Sequence, residues 1–322
     1  MITVNVHANG KMVENDLPLS SISDVLGQKD HLLWLDVADP TDDDIRLLAE
    51  EFSFHPLAIE DVSRRHQRPK IDFYEGVVFI VFSAMQNTPD GSIRLVEVDL
   101  FIGENYVVTV HEGPLEFLGE TRERWSRNVE EIGNRSVALL LYSILDAIVD
   151  GYFPCIDELS DRIEDLEASI FEHFDTKTQQ EIFRLKKDLL GIRRVVAPER
   201  DVLNVLVRRE SPVFDPATII YFQDIYDHIL RVTDAVDTYR DLMSSALDSY
   251  LSVTSNRLNQ VMKTLTASSI ILMSMTLVAS IYGMNFDNIP ELHWRLGYYG
   301  ALTLMVLIGA GLGWVFKRID WL

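Results

Sequence analysis

The stretch TLTASSIILMSMTLVASIYGMNF, residues 264–286, decides the fold of this chain because none of its 23 residues is charged. A second uncharged stretch, LGYYGALTLMVLIGAGLGWVF, covers the 21 residues 296–316. A helix needs roughly 20 apolar residues to cross the hydrocarbon core of a bilayer. We therefore predict two membrane-spanning helices, in preference to a hairpin buried in a soluble core.

The segment between the two spans has only nine residues, 287–295, so the spans form an antiparallel hairpin. Basic residues flank the outer ends of the hairpin, and the connecting loop carries two acids against one base. The positive-inside rule then places both chain termini in the cytoplasm and the loop outside. We expect a multi-pass protein of the inner (plasma) membrane, with the lipid bilayer as a partner. The predicted divisions are a first transmembrane helix at 265–285, an external loop at 286–297, a second transmembrane helix at 298–317 and a cytoplasmic tail at 318–322.

The charge of the chain is concentrated before the membrane hairpin. The net charge is −21 over 322 residues. Only six charged residues follow Lys263, three of each sign, so the whole excess lies in residues 1–263. Such an acidic part attracts cations and does not bind nucleic acid through bulk electrostatics. The single cysteine, Cys155, excludes an internal disulfide framework and a Cys-rich metal site.

We predict that residues 1–130 form a cytoplasmic α/β domain. Apolar runs with partial period-2 alternation predict strands, and N-cap signals predict helices at Asp42–Phe52 and Pro56–Val62. The predicted strands are Ile2–Val6, Leu32–Val37, Lys70–Tyr74, Val77–Met85, Arg94–Ile102 and Tyr106–Val110. Pro89-Asp90-Gly91 predicts a hairpin turn between two of them. No Gly-rich phosphate loop and no nucleophile or zinc-protease motif occurs in the sequence, so no enzyme is predicted.

We predict that residues 131–264 form a helical region that ends in a long stalk. The chain is predicted to be mostly helical from Pro114 onward, with interruptions up to Pro198 at Gly119, Gly133, Gly151, Pro154 and Gly191. Asp215 is a suitable N-cap, and Pro216 suits the first helical position. No Gly or Pro follows until Gly283, so one helix over 216–283 would be about 100 Å long. A helix of this length needs partners along its course.

A polar stripe with steps of four and three residues follows the stalk into the first span. Its members are Asp248, Ser252, Ser255, Asn259, Met262, Thr266, Ser269, Met273, Thr276, Ser280 and Gly283. A 3.5-residue repeat marks one face of a bundled helix, and Leu or Ile would be usual there. Small and hydroxylated residues permit close packing of membrane helices, which is one interpretation. The other, which we prefer, is a water-filled pore lined by this helix from several identical subunits in a closed ring.

The motif Tyr282-Gly283-Met284-Asn285-Phe286, followed by Pro290-Glu291-Leu292 and a second span, resembles the CorA family of divalent-cation channels. Upstream segments agree with this resemblance over most of the chain. These are His55-Pro56-Leu57…Glu60-Asp61-Val62, His66-Gln67-Arg68-Pro69-Lys70, Tyr142-Ser143…Asp146-Ala147…Asp150 and Tyr226-Asp227-His228.

The resemblance implies a funnel-shaped homopentamer with α+β cytoplasmic domains of α/β/α sandwich type, a long helical stalk and two transmembrane helices. It implies a channel for Mg²⁺, and also for Co²⁺ or Ni²⁺, in which Gly283, Met284 and Asn285 form the selectivity filter. Carried over by position or taken from the stripe, the pore-lining residues are Asn259, Met262, Leu265, Thr266, Ser269, Met273, Thr276 and Ser280. Met262 and Leu265 would form a hydrophobic constriction. Asp287 and Glu291 in the external loop would concentrate cations at the mouth.

The resemblance also implies regulation by cytoplasmic Mg²⁺ bound between neighbouring subunits. Asp224 matches the family's sensing acid on the long helix, and Asp248 matches a lower acid facing the pore. The partner acid on the α/β domain differs, because ungapped alignment places Thr88 there. Asp90 could replace it only if the hairpin turn is locally shifted.

Two alternatives remain open. One is a zinc transporter of the related ZntB branch, with possible proton coupling. Met284 argues against it, because that branch often has Ile within the tripeptide. The other is a membrane-anchored sensor or scaffold, and the polar stripe and Asn285 argue against that.

Overall fold

The computed structural model describes residues 1–8, 11–15, 22–28, 30–89, 91–127, 136–172, 176–208, 218–285, 289 and 294–322. The chain divides into two compact units. The first comprises Met1–Ala168 with Thr176–Ser245, and the second comprises Ser169–Asp175 with Ala246–Leu322.

The first unit is built on a seven-stranded sheet with the order β2-β1-β3-β7-β6-β5-β4. The strands are β1 Ile2–Ala8, β2 Lys11–Asn15, β3 His31–Ala38, β4 Lys70–Tyr74, β5 Val77–Asn87, β6 Ile93–Ile102 and β7 Tyr106–His111. Strands β3 and β7 are parallel, and the other neighbours are antiparallel. The six predicted strands are confirmed with small shifts of their ends, and β2 was not predicted.

Three short helices cover one face of the sheet: α1 Ile22–Leu26, α2 Asp42–Phe52 and α3 Pro56–Arg64. Local capping fixes where α2 and α3 begin. Thr41 and Asp44 form a capping box at α2, and the His55 ring accepts a hydrogen bond from the Leu57 amide at α3. Apolar side chains of these helices and of the sheet form one buried core. It lies on the face that carries Leu33, Leu35 and Val37 of β3.

Four further helices lie wholly or mainly in this unit: α4 Glu116–Arg127, α5 Val137–Asp150, α6 Tyr152–Glu172 and α7 Thr176–Arg208. The unit also contains the first part of a longer helix, as far as Ser245. On the sheet face opposite the α1–α3 core, Arg122 of α4 reaches Asp36 at 2.8 Å. The other carboxylate oxygen of Asp36 lies 3.1 Å from His111 Nε2. These contacts give the unit helices on both faces of one sheet.

Several predicted interruptions of the helical part are wrong. Helix α4 continues through Gly119, α6 contains Pro154 in its first turn, and α7 continues through Gly191 and Pro198. Burial of an apolar stripe on α7 outweighs the helix-breaking tendency of these two residues. Gly151 does separate α5 from α6. Gly133 lies outside the described residues.

The second unit contains the end of α8 Ile219–Tyr282 and all of α9 Gly297–Arg318. Helix α8 has 64 residues and is about 96 Å long. It confirms the predicted long helix from Ile219 onward, and its predicted beginning at 216 lies outside the described residues.

Among the described residues, three helical stretches are long and apolar enough to cross a membrane: Val137–Ile170, α8 and α9. Half of the most apolar window of Val137–Ile170 is buried within the protein, against 6% for α8 and 6% for α9. The stretch Val137–Ile170 is therefore a core element of the first unit. The two predicted spans are the ones that leave their apolar surface uncovered, as lipid-facing helices do.

Candidate pore and cation-sensing site

The polar stripe of α8 is uncovered in the second unit. Its members from Asn259 to Gly283 are all exposed, and they include Met262 at 52% and Met273 at 71%. Leu265, assigned to the constriction by resemblance, is 59% exposed. Leu272 and Leu277 beside the stripe are also exposed. The stripe therefore has no covering partner in the described part of its own unit.

Helix α9 packs on the side of α8 that lies opposite the stripe. Ala267 is fully buried there, and Ile271 and Met275 are partly covered. At Gly309 of α9, a Cβ atom would lie 3.5 Å from Met275 Sδ and 4.0 Å from Ile271 Cγ2. Met273 is about 160° around the helix from both Ile271 and Met275. The hairpin thus leaves the polar face free.

Two hydroxyl groups of the stripe are held by the helix backbone. Ser269 Oγ donates to the Leu265 carbonyl at 2.7 Å, and Thr276 Oγ1 donates to the Leu272 carbonyl at 2.8 Å. Each hydroxyl proton is therefore occupied, and the oxygen lone pairs remain as acceptors. A row of oriented acceptors suits the water molecules around a hydrated cation, whose hydrogens point outward.

The tripeptide lies at the C-terminal end of α8, where the helix tightens and stops. The Gly283 amide donates to the Ala279 carbonyl at 3.0 Å, and the Met284 amide donates to the Ile281 carbonyl at 3.3 Å. A Cβ at Gly283 would lie 3.2 Å from the Ala279 oxygen, which is a tight contact. Met284 and Asn285 are exposed. Asp287 and Glu291, assigned to the mouth, lie outside the described residues.

A cavity of about 500 Å³ lies at the other end of the membrane part of the stripe. Asn259, Met262 and Thr266 line it together with Trp321 from the C-terminal end. The Trp321 carbonyl accepts a hydrogen bond from Thr264 Oγ1 at 3.2 Å, which ties the chain end to α8. Of the two residues expected to form the constriction, Met262 therefore shares a cavity with Trp321 near the end of the chain.

A cluster with metal-ligand chemistry occurs in the first unit, where the sequence analysis assigned none. Asp146 and Asp150 of α5 and His228 of α8 bring one ligand atom each to within 4.8 Å of one another. Burial, followed by the charge of Asp150, raises the pKa of Asp146 to about 6. Asp224 raises it further and also contributes to the raised pKa of Tyr142. The predicted sensing acid Asp224 is therefore an electrostatic neighbour of this cluster.

The other predicted regulatory residues are not joined to this cluster by any described contact. Asp248 is exposed on α8 in the second unit. Asp90 lies outside the described residues. Thr88, which occupies the aligned position, donates through Oγ1 to the Ser92 carbonyl at 2.6 Å within the β5–β6 turn. The proton of the Thr88 hydroxyl is therefore used in a hydrogen bond within the hairpin.

Comparison with known proteins identifies the family. The family described as CorA-like Mg²⁺ transporter protein matches residues 29–318, nearly the whole chain. The chain belongs to this family.

Individual relatives agree with the CorA assignment. The YfjQ protein of Bacillus subtilis is 38% identical over 288 residues, which are 89% of this chain and 89% of that protein. The cobalt/magnesium transport protein CorA of Thermotoga maritima is 38% identical over 283 residues, 87% of this chain and 80% of that protein. A zinc transport protein, ZntB of Cronobacter sakazakii, is more distant at 24% over 300 residues.

The fold also matches a solved structure of the family. The complete structure of the CorA magnesium transporter from Methanocaldococcus jannaschii superposes with a TM-score of 0.84 at 24% sequence identity. The match covers 100% of this chain and 99% of that one. It confirms the α/β domain, the long helix and the C-terminal apolar helices.

Proposed function

We propose that this CorA-family chain is a channel for Mg²⁺, and also for Co²⁺ and Ni²⁺, formed by a ring of five identical subunits. The observation that carries the proposal is the uncovered polar face of α8, which lies opposite α9 and is followed, just beyond the end of the helix, by Asn285. Two membrane helices cannot enclose a pore alone, so this face requires copies of itself. The cobalt/magnesium transporters among the relatives support divalent cations as the substrate. The number five comes from the family resemblance.

In this proposal Asn285 selects the ion by binding its hydration shell. Mg²⁺ releases its waters slowly, so a filter that strips them would conduct poorly. The amide oxygen of Asn285 accepts hydrogen bonds from bound water without replacing it. Gly283 and Met284 present the amide at the end of the pore wall, and Asp287 and Glu291 raise the local cation concentration outside.

Gating in this proposal depends on cytoplasmic Mg²⁺ held by acids of the first unit. Asp224, Asp146 and Asp150 form a negative group, in which the charges of Asp150 and Asp224 help burial to raise the pKa of Asp146. A divalent cation would remove this repulsion, and a neighbouring subunit would complete its ligands. Loss of the ion would loosen the ring and open the pore. Asp248, and Asp90 with a shifted turn, are further candidates for regulatory ligands.

The proposed location is the plasma (inner) membrane with both termini in the cytoplasm. The basic flanks at Lys263 and at Lys317-Arg318 support this orientation. The proposed domain boundaries are those of the sequence analysis, with the pore-lining helix at 265–285 and the second span at 298–317.

A flux measurement tests the proposal. The protein is reconstituted in liposomes that contain a Mg²⁺-sensitive or a Zn²⁺-sensitive dye. Mg²⁺, Co²⁺ and Zn²⁺ are then added outside, with and without a proton gradient. Mg²⁺ and Co²⁺ should enter down their gradients without proton coupling. Zinc entry that requires the proton gradient would instead establish the ZntB-like alternative. Absence of flux for every ion would contradict transport and leave the sensor or scaffold interpretation.

A further inference from the structure

Two adjoining cavities in the first unit lie apart from the pore residues and the cation cluster. Their volumes are about 440 Å³ and about 610 Å³, and they share His66, Gln67 and Val195 as lining residues. Both are within the size range of small-molecule sites. Their walls come from the loop after α3, from β5, β6 and the end of β7, and from the middle of α7. We call the pair the loop cleft.

The loop cleft has a basic mouth although the chain carries a net charge of −21. Its cationic side chains are Arg65, Arg68, Arg94, Arg193 and Arg194. Within the described part of the chain, Arg65 pairs with Glu112 and Arg193 pairs with Asp237. Arg68, Arg94 and Arg194 are exposed, and no described carboxylate lies within 4.0 Å of them. Three guanidinium groups are thus free to bind an anion.

The wall of the same cleft carries two carboxyl groups from β6. Asp99 is only 4% exposed, and its Oδ1 has no hydrogen-bond partner among the described residues. Glu97 accepts the Gln67 amide through Oε2 at 2.6 Å, but its Oε1 also has no described partner. A buried acceptor without a donor is destabilising, so these two atoms call for a donor. Burial, followed by the charge of Glu97, raises the pKa of the Asp99 carboxyl well above its usual range. N–H donors from a ligand would stabilise the ionised form, in which Asp99 Oδ1 is an acceptor.

The loop that joins the mouth to the carboxyl groups is held in an unusual conformation. Arg65 and His66 have φ values of 27° and 66°, in the left-handed region that non-glycine residues avoid. The bond from Gln67 to Glu97 and the pair of Arg65 with Glu112 hold the loop in place. Strain retained in this way is common where a backbone is fixed around a ligand.

We propose that the loop cleft binds a small phosphorylated ligand that also carries N–H donors, with a purine nucleotide as its chemical class. This site is separate from the transport function proposed above and does not depend on it. Phosphate oxygens match the forked donors of Arg68, Arg94 and Arg194. The amino or ring N–H groups of a purine supply the donors that Glu97 Oε1 and Asp99 Oδ1 lack.

Simpler ligands satisfy only part of the cleft. A bare divalent cation would meet the carboxyl groups but would be repelled by the basic mouth. Inorganic phosphate or pyrophosphate would occupy the mouth and leave both carboxyl oxygens without donors. A nucleotide fits both ends, and the combined cavity is large enough for it.

Calorimetric titration of the full-length protein in lipid nanodiscs tests this assignment. ATP, GTP, pyrophosphate and phosphate are titrated with free Mg²⁺ held constant by a buffer, since nucleotides chelate Mg²⁺. We expect saturable binding of at least one of the two nucleotides, and it should be tighter than that of pyrophosphate. The double variant Arg68→Glu/Arg194→Glu should weaken nucleotide binding by about tenfold or more, because two charge-assisted contacts become repulsive.

Two further variants separate the parts of the site. Arg46→Glu reverses an arginine on α2 that is 73% exposed and does not line the cleft, so nucleotide affinity should not change. Glu97→Gln retains an oxygen for the Gln67 amide but loses a carboxyl acceptor, so the preference for nucleotide over pyrophosphate should shrink. The proposal is overturned if neither nucleotide binds, if pyrophosphate binds as tightly as both nucleotides, or if the double variant binds nucleotide as wild type does.

Discussion

At the scale of single residues, Glu199 shows how this fold completes a sheet edge where a strand ends. Strand β4 pairs with β5 only as far as Val81, so the β5 edge at Ser83 has no strand beside it. Glu199 Oε1 accepts the Ser83 amide at 2.9 Å. Tyr152 Oη lies 2.9 Å from Glu199 Oε2 and also bonds the Ser83 carbonyl. One carboxyl and one phenol thus replace the missing strand.

The hydrogen count favours a neutral Glu199. Tyr152 has one proton but faces two oxygens, so an ionised carboxylate would leave one contact without a hydrogen. A protonated Glu199 donates to Tyr152, which donates to Ser83. Full burial raises the pKa of Glu199 to about 8, above its ordinary value of 4.5. Both arguments place a proton on this carboxyl at neutral pH.

We predict that Glu199→Gln removes one source of the pH dependence of stability. Between pH 4.5 and 8 the folded protein keeps a proton that the unfolded chain has released, so stability falls as pH rises through this window. Glutamine retains the acceptor and the donor without titrating. The difference in unfolding temperature, variant minus wild type, should therefore be larger at pH 8 than at pH 5. Glu50→Gln, at an exposed position of α2, is the control. A difference that stays constant with pH would contradict a protonated Glu199.

Asn285 carries the corresponding prediction for the filter. Asn285→Ala removes the amide oxygen that binds the hydrated ion, so Mg²⁺ flux in liposomes should change together with its inhibition by other divalent cations. Asn285→Asp should slow flux, because a ring of carboxylates holds the ion longer. Gel filtration of each variant checks that the assembly is intact. Unaltered flux and competition in Asn285→Ala would show that the filter lies elsewhere.

At the scale of elements, capping residues and apolar patterns in the sequence predicted those helix and strand bounds that depend on neighbouring residues in the chain. The bounds of α2 follow from Thr41 and the acidic first turn, and β4 was predicted at its observed residues. Strand β2, KMVEN, is a short edge strand whose sequence has little β-propensity, so its pairing with β1 could not be predicted. The continuity of α7 through Gly191 depends on burial against other elements, which propensity does not report.

The candidate sites also differ in whether they depend on residues close in sequence or on packing between distant segments. The stripe from Asp248 to Ser280 lies on one helix, so its common face followed from residue spacing, and the tripeptide follows directly after that helix. The cluster of Asp146, Asp150 and His228 joins two helices that are far apart in sequence. The i,i+4 spacing of the two aspartates was visible, but their contact with His228 is a result of packing. The loop cleft draws on several separate elements. Its segment His66-Gln67-Arg68 was noted in the sequence, but its proximity to β6 and α7 is a result of packing.

The packing of α9 against α8 yields a prediction with a matched control. At Gly309 a Cβ would make ordinary contacts with Met275 and Ile271, so Gly309→Ala should be tolerated. Gly309→Leu is too large for the gap and should force the two helices apart. At Gly311 no atom lies within 4 Å of an added Cβ, so Gly311→Leu tests bulk alone. We expect Gly309→Leu to unfold at a lower temperature in detergent than Gly311→Leu, and equal values would contradict the packing described here.

At the scale of the whole molecule, the proposed ring would have to form although like charges repel. The net charge of −21 would be multiplied fivefold in the proposed ring. Divalent cations bound between subunits would offset this repulsion. Assembly and ion sensing are then one property, and removal of Mg²⁺ should loosen the ring by raising the repulsion. Lower ionic strength should make the loosening more pronounced, since salt screens the charges.

Asp224→Lys tests this link directly. In wild type, Mg²⁺ should protect the assembly against limited proteolysis by holding subunits together. Lysine at 224 replaces a ligand by a positive charge next to Asp146, so bound Mg²⁺ should be lost and protection should weaken. Asp234→Lys changes the same charge at another exposed position of α8 and should retain the protection. If Mg²⁺ protected both variants equally, the sensing role of Asp224 would be wrong. If both lost protection equally, net charge rather than a defined site would control the ring.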